Sequence, residues 1–139
     1  MATRVFTRSI EVCARRRGLR EITGEVARLV AESGVESGLC NIFVRHTSAS
    51  LVIQENADPT ARQDLEAFLD RLVPEGSPWF QHTLEGPDDM PSHIKSALTA
   101  VSLSVPVVGG RLGLGTWQGI YLWEHREEAP GRTIIITVL

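Results

Sequence analysis

The 139 residues carry 14 lysines and arginines against 17 acidic side chains, a net charge of −3 that argues against a partner held through nucleic-acid phosphates. A hydrophobic share of 42% and a charged share of 22% are those of an ordinary globular protein, and the length suits a single domain over residues 1–139. No run reaches the length of a membrane span, the N-terminal stretch has no apolar signal segment, and Cys13 and Cys40 form no CxxC pair. These features predict a cytoplasmic protein with reduced thiols and neither a disulfide framework nor a zinc knuckle.

In chain order, residues 4–13 alternate weakly, with Val5, Ile10 and Val12 apolar, and predict a first strand. The basic run Arg15-Arg16-Arg17-Gly18 reads as a solvated hairpin end rather than a nucleic-acid patch. Thr23 is placed to cap a helix, with Glu25 in its first turn, Val26, Leu29 and Val30 as its apolar stripe and Gly34 closing it. Residues 38–46 form the next strand. Cys40, Ile42, Val44 and His46 fall on its core-facing side, and Leu39, Asn41, Phe43 and Arg45 on the other. His46 is therefore either a satisfied core histidine or a ligand. Residues 50–54 continue in extended form.

Asp58-Pro59 is the strongest helix start in the chain, an acidic N-cap followed by proline at the first helical position. Ala61, Leu65, Phe68 and Leu72 give the expected buried stripe, and Pro74 ends the helix. Asp64 lies on the flank of that stripe, where it would pair with an arginine or face a site. Residues 74–91 read as a long loop punctuated by glycine and proline and carrying His82, Glu85, Asp88 and Asp89. A loop of that length inside a small domain is often functional. A short helix over residues 91–100 follows, bearing His93 and Lys95, with Ile94 and Leu98 expected inside.

Val101, Leu103, Val105 and Val107 alternate inward along residues 101–108, and Pro106 places that strand at an edge or bulge. Gly109-Gly110 signals a two-residue hairpin. The run LGLGTWQGIYLWEHR over residues 112–126 then alternates from Trp117 onward, so that Glu124 shares a face with Gln118, Ile120 and Leu122. A carboxylate on that face belongs either to a structural salt bridge or to a polar site at the end of a sheet. Residues 133–139 are apolar on both faces, as in a strand that is interior or covered by a neighbouring subunit. About seven strands and three helices, without βαβα alternation, predict an α+β protein built on an antiparallel β-sandwich.

His46, His82 and His93, three imidazoles with room for a fourth ligand, would suit zinc or a similar divalent ion, although no HExxH spacing accompanies them. The carboxylates Asp58, Asp64, Glu85, Asp88, Asp89 and Glu124 would instead hold magnesium against a phosphate substrate. Gly113-x-Gly115 lacks its third glycine because Gln118 stands there, and no GxxxxGK[ST] loop is present. Thr47, Ser48 and Ser50 lie beside His46 without the strand–elbow–helix setting of a serine nucleophile. Backbone capping or hydrogen bonds to an anion suit them better.

Four blocks together resemble the YjbQ-like family, whose members are often labelled secondary thiamine-phosphate synthases. They are HTSASLVIQEN (residues 46–56), Asp58-Pro59 with Asp64, EGPDDMPSHIK (residues 85–95) and GRLGLGTWQGIYLWEHR (residues 110–126). In this order they span nearly the whole chain, and one departure is Thr99-Ala100, where the family pattern has Leu-Gly. The resemblance implies a β-sandwich-like α+β fold, a homotrimer and a polar pocket. It matches the family's histidines to His46, His82 and His93, converging as ligands of a divalent ion, zinc or magnesium, or on a phosphate-like anion. It matches the family's acidic positions to Asp64, Asp88 and Glu124 as catalytic carboxylates. The implied reaction joins a pyrimidine diphosphate to a thiazole phosphate and releases pyrophosphate. It needs a divalent cation to neutralise the departing diphosphate and a ring-sized cavity, for which Trp117, Tyr121 or Trp123 would supply stacking faces or simply pack in the core. Two other functions fit the same residues. One is a metal-dependent hydrolase or lyase with Glu124 or Asp64 as base. The other is a non-catalytic protein that captures a small phosphorylated ligand.

Overall fold

The computed structural model describes residues 5–14 and 16–139, so Arg4 of the expected first strand and Arg15 of the basic turn lie outside the described residues. Among the described residues the chain runs β1 (Phe6–Val12), β2 (Gly18–Glu21), α1 (Thr23–Ser33), β3 (Ser37–Val44), β4 (Ala49–Glu55) and α2 (Pro59–Leu72). It continues through α3 (Asp89–Leu98), β5 (Ser102–Val108), β6 (Arg111–Leu112), β7 (Gln118–Glu124) and β8 (Arg132–Val138). The strands form two antiparallel sheets, ordered β1-β8-β3-β5-β6 and β2-β7-β4. This is the α+β sandwich that the alternation predicts.

The period-two pattern fixes which residues meet between the sheets. Ile42 and Val44 of β3, Val105 and Val107 of β5, and Ile134 and Ile136 of β8 face Leu51 of β4 and Ile120 and Leu122 of β7. Val26, Leu29 and Val30 of α1 complete that cluster. β8 is interior to its sheet, paired on one side with β1 and on the other with β3. At the β5–β6 hairpin Gly109 and Gly110 have φ of 59° and 77°, the consecutive left-handed pair that a tight two-residue turn requires and that side chains disfavour.

Three helix details differ from the sequence expectation. Thr23 is not the cap of α1; Ile22 holds that position, and the Thr23 hydroxyl accepts the Ile120 N–H and donates to Glu21, tying the helix to β7. Asp58 does cap α2, accepting the Thr60 N–H at 2.9 Å. The buried stripe of α2, however, is Leu65, Leu69 and Val73 packed on Tyr121 and Trp123, while Phe68 and Leu72 are 65% and 56% exposed. Residues on the outer face of β7 select that stripe, one position round the helix from the one that its own apolar spacing suggests.

The third difference matters most for the site. α3 begins at Asp89, two residues before the expected Pro91, and the residues it buries are Asp89, Pro91, Ser92, Lys95 and Ser96, while Leu98 is 58% exposed. A polar face can be buried there because partners arrive from other elements. Ser96 donates to the Ala49 carbonyl at 3.2 Å, and the buried Lys95 ammonium donates to Asp70 of α2 at 2.6 Å.

Candidate functional site

The early start of α3 puts Asp89 and His93 one helical turn apart on the same face. The connection between α2 and α3, residues 73–88, then brings His82 to the same place. Nε2 of His82 lies 2.6 Å, and Nε2 of His93 3.0 Å, from Oδ2 of Asp89. One ligand atom from each of the three side chains lies within 4.8 Å of the other two.

Arg126, just beyond β7, fastens this arrangement to the sandwich. Its Nη1 donates to Asp89 Oδ1 at 2.7 Å, its Nε to Asp88 Oδ2 at 3.2 Å and its Nη2 to the Glu85 carbonyl at 2.9 Å. Asp88 also accepts the Glu127 N–H at 2.9 Å. Burial pushes both carboxyls up, but their hydrogen bonds and the nearby positive charge outweigh it. Asp89, bonded by His82 and His93, and Asp88, bonded by Glu127 and Arg126, are both held below the usual carboxylate range.

Hydrogen-bond chemistry at His93 constrains what can occupy the cluster. Nδ1 lies 2.8 Å from the Thr47 carbonyl, which can only accept, so Nδ1 carries a proton. In the neutral ring Nε2 then presents a lone pair to the Asp89 carboxylate. Two lone pairs facing each other at 3.0 Å need either a proton shared between the imidazole and the carboxylate or a metal ion beside them. An Nδ1–H fixed by a backbone carbonyl is also the usual support of a metal-binding imidazole.

The other residues singled out from the sequence fall in different places. His46 follows β3, and its Nε2 accepts the Thr133 N–H at 2.9 Å, so it does not complete the cluster. Burial first, and then the Arg132 charge, lower its pKa and favour the neutral ring that accepts this bond. His46 and His93 do line one open cleft of about 840 Å³, together with Phe43, Arg45 and Thr47. Asp64 is exposed on α2 and makes no hydrogen bond or ion pair among the described residues, so it does not join the site. Asp88 anchors the loop to Arg126 and Glu127 instead of facing the cleft.

Glu124 resolves in favour of the structural salt bridge. It is fully buried between the sheets, and its two oxygens accept from Nε and Nη2 of Arg132, each at 2.6 Å. Of the candidate stacking residues, Tyr121 and Trp123 are buried in the cluster under α2, and Trp117 is exposed. Sequence reasoning named Asp89 only among possible magnesium ligands and did not join it to the histidines. Its signal was the four-residue spacing to His93, legible only once the helix is started at Asp89.

The chain matches the family described as UPF0047 protein YjbQ-like over residues 8–139. A UPF0047 protein of Synechocystis is 53% identical over 122 residues, covering 88% of this chain and 83% of that one. The UPF0047 protein YjbQ of Salmonella typhimurium is 47% identical over 134 residues and 96% of each chain. Among solved structures, a YbjQ-like protein of unknown function from Sulfolobus solfataricus superposes with a TM-score of 0.87 at 29% identity, covering 97% of this chain and 96% of that one. A conserved hypothetical protein of Thermus thermophilus gives 0.82 at 37% identity over 94% and 98% of the two chains.

Proposed function

The chain belongs to the YjbQ-like UPF0047 family, and on that footing we propose a small-molecule enzyme of the kind labelled secondary thiamine-phosphate synthase. In this reading it joins a pyrimidine diphosphate to a thiazole phosphate and releases pyrophosphate. The observation that carries the proposal is the meeting of His82, Asp89 and His93 beside an open cleft.

Two imidazole nitrogens and one carboxylate oxygen form a donor set that suits zinc or a similar divalent ion, with positions left for water or substrate. Magnesium would need more oxygen ligands than this set offers. His82, Asp89 and His93 would hold the ion, and Thr47 and Arg126 would orient two of those three side chains. When bound, the ion would offset the negative charge that builds on a departing diphosphate. Arg45 at the cleft offers a guanidinium to a phosphate, and the half-exposed Phe43 offers a face to a heterocycle. A homotrimer belongs to the same proposal, and sedimentation equilibrium would test it.

A second reading is a metal-dependent hydrolase or lyase of another substrate. What favours it is the same donor set: an ion held by His82, Asp89 and His93 would keep a position for a water and lower that water's pKa for attack. Capture of a phosphorylated ligand without turnover is the non-catalytic variant of the same site.

The test supplies purified protein with both substrates and either zinc or magnesium and assays thiamine phosphate. Formation that is lost in Asp89→Asn and His93→Ala but retained in Asp64→Asn supports the synthase. No product with either metal removes it. Stoichiometric zinc by elemental analysis of untagged protein in that case would leave the hydrolase or lyase reading standing.

A further inference from the structure

The basic turn has a structural setting that the proposed function does not use. Arg16 and Arg17 of the turn, Arg20 of β2 and Arg62 of α2 line a single groove of about 530 Å³. One carboxylate, Glu66, lines it with them, and that side chain is already engaged by the Leu19 N–H at 2.8 Å. In a chain whose acids outnumber its bases by 17 to 14, this concentrates positive charge at one place.

The four guanidiniums are not equally engaged. Arg17 turns to carboxylates, at 2.6 Å from Glu127 and 3.4 Å from Glu75. Arg20 donates from one nitrogen to the Cys13 carbonyl at 2.8 Å and keeps its remaining donors. Arg16 and Arg62 enter no ion pair or side-chain hydrogen bond among the described residues. Arg62 also borders a small hollow with Glu21 and Asp58, which weakens the local field on that side without closing the groove.

We propose that this groove is a binding site for a small oligophosphate anion, held by Arg16, Arg20 and Arg62. Guanidinium forks match the spacing of phosphate oxygens and bind them in pairs, and several forks on one concave surface fit an anion with more than one phosphate. Among the described residues no aromatic side chain lines the groove, so it offers no aromatic face to a nucleobase. The chemistry recognised is the phosphate chain itself. The site is separate from the His82–Asp89–His93 cluster and does not depend on what that cluster does.

Isothermal titration of the full chain with inorganic triphosphate, at low salt and with a chelator present, tests the assignment. The chelator prevents a metal ion at the histidine cluster from holding the anion. The expected result is saturable binding at one site, weakened roughly tenfold in Arg16→Ala and in Arg62→Ala and weakening further as salt is raised. Arg28→Ala, which removes an exposed arginine of α1 paired with Glu32, should bind like the parent and serves as the charge control. Unchanged thermal melts of the variants show that the fold is intact. No saturable binding overturns the proposal, as does equal affinity in all four proteins. Affinity lost in His93→Ala but kept in Arg62→Ala also overturns it, because the anion would then sit at the cluster.

Discussion

Asp89 and His93, one turn apart on α3, face each other as carboxylate oxygen and imidazole Nε2 at 3.0 Å, with the other nitrogen of His93 committed to the Thr47 carbonyl. The pair is held on three sides by parts of the chain far apart in sequence: the segment carrying His82, Arg126 just beyond β7, and the turn between β3 and β4. Removing the central carboxylate should therefore affect both site and stability. Asp89→Ala leaves Arg126 and both imidazoles without their shared partner and should lower stability by about 3 kcal/mol. Asp64→Ala, on the exposed side of α2, should stay within about 0.5 kcal/mol of the parent. Urea denaturation of the two variants checks the contrast.

Glu124 separates a structural from a catalytic role in a single substitution. Glu124→Gln breaks a fully buried two-bond pair with Arg132 and leaves that guanidinium uncompensated between the sheets. The expected loss is about 3–5 kcal/mol. A variant as stable as the parent but inactive would instead return Glu124 to the chemistry.

Lys95 is buried, with Asp70 as its carboxylate partner. Asp70→Ala should cost about 2–3 kcal/mol by stranding the ammonium, whereas adding Lys95→Met to it should recover most of that loss, because an apolar side chain of similar length needs no partner. Guanidinium denaturation midpoints of the single and double variants measure the difference.

The fold was legible wherever a signal is local. The alternation in residues 38–44 and 102–108, the Asp58-Pro59 helix start and the Gly109-Gly110 turn each depend on residues a few positions apart, and each is found in the structure, although Val101, expected to point inward, precedes β5 and is exposed. What was not legible depends on distant partners. The inward face of α2 is chosen by Tyr121 and Trp123, and the polar face of α3 is acceptable only because Asp70 and the Ala49 carbonyl receive its donors. The candidate site was legible only in part, for the same reason. His82 and His93 were named as ligands from the sequence, but His46 is engaged by Thr133, and the carboxylate that joins the other two is Asp89, named only among six possible magnesium ligands while Asp64, Asp88 and Glu124 were the catalytic choices.

His125 gives the protein a built-in acid sensitivity. It is buried, its Nε2 lies 2.8 Å from the Ser50 hydroxyl, and burial first, then the charges of Lys95 and Arg132, push its pKa down from 6.5 to about 3. The unfolded chain takes up a proton here between those values and the folded chain does not. The contribution of His125 to stability is thus fully present above about pH 6.5 and is lost as the pH drops toward 3, by up to about 1.4 kcal/mol per pH unit. Denaturation at pH 7 and pH 5 should show a smaller acid loss in His125→Phe than in the parent; equal losses would mean that another group controls the transition.

His82 and His93 reach Asp89 on different supports, one on a connection without strand or helix and the other on α3. If the cluster holds an ion as proposed, displacing this connection would remove one imidazole while leaving both sheets paired, so ion binding and folding would be separable. A melting curve would report only the second of them. A protease cut within residues 74–84 would then weaken ion capture in a protein that still looked native.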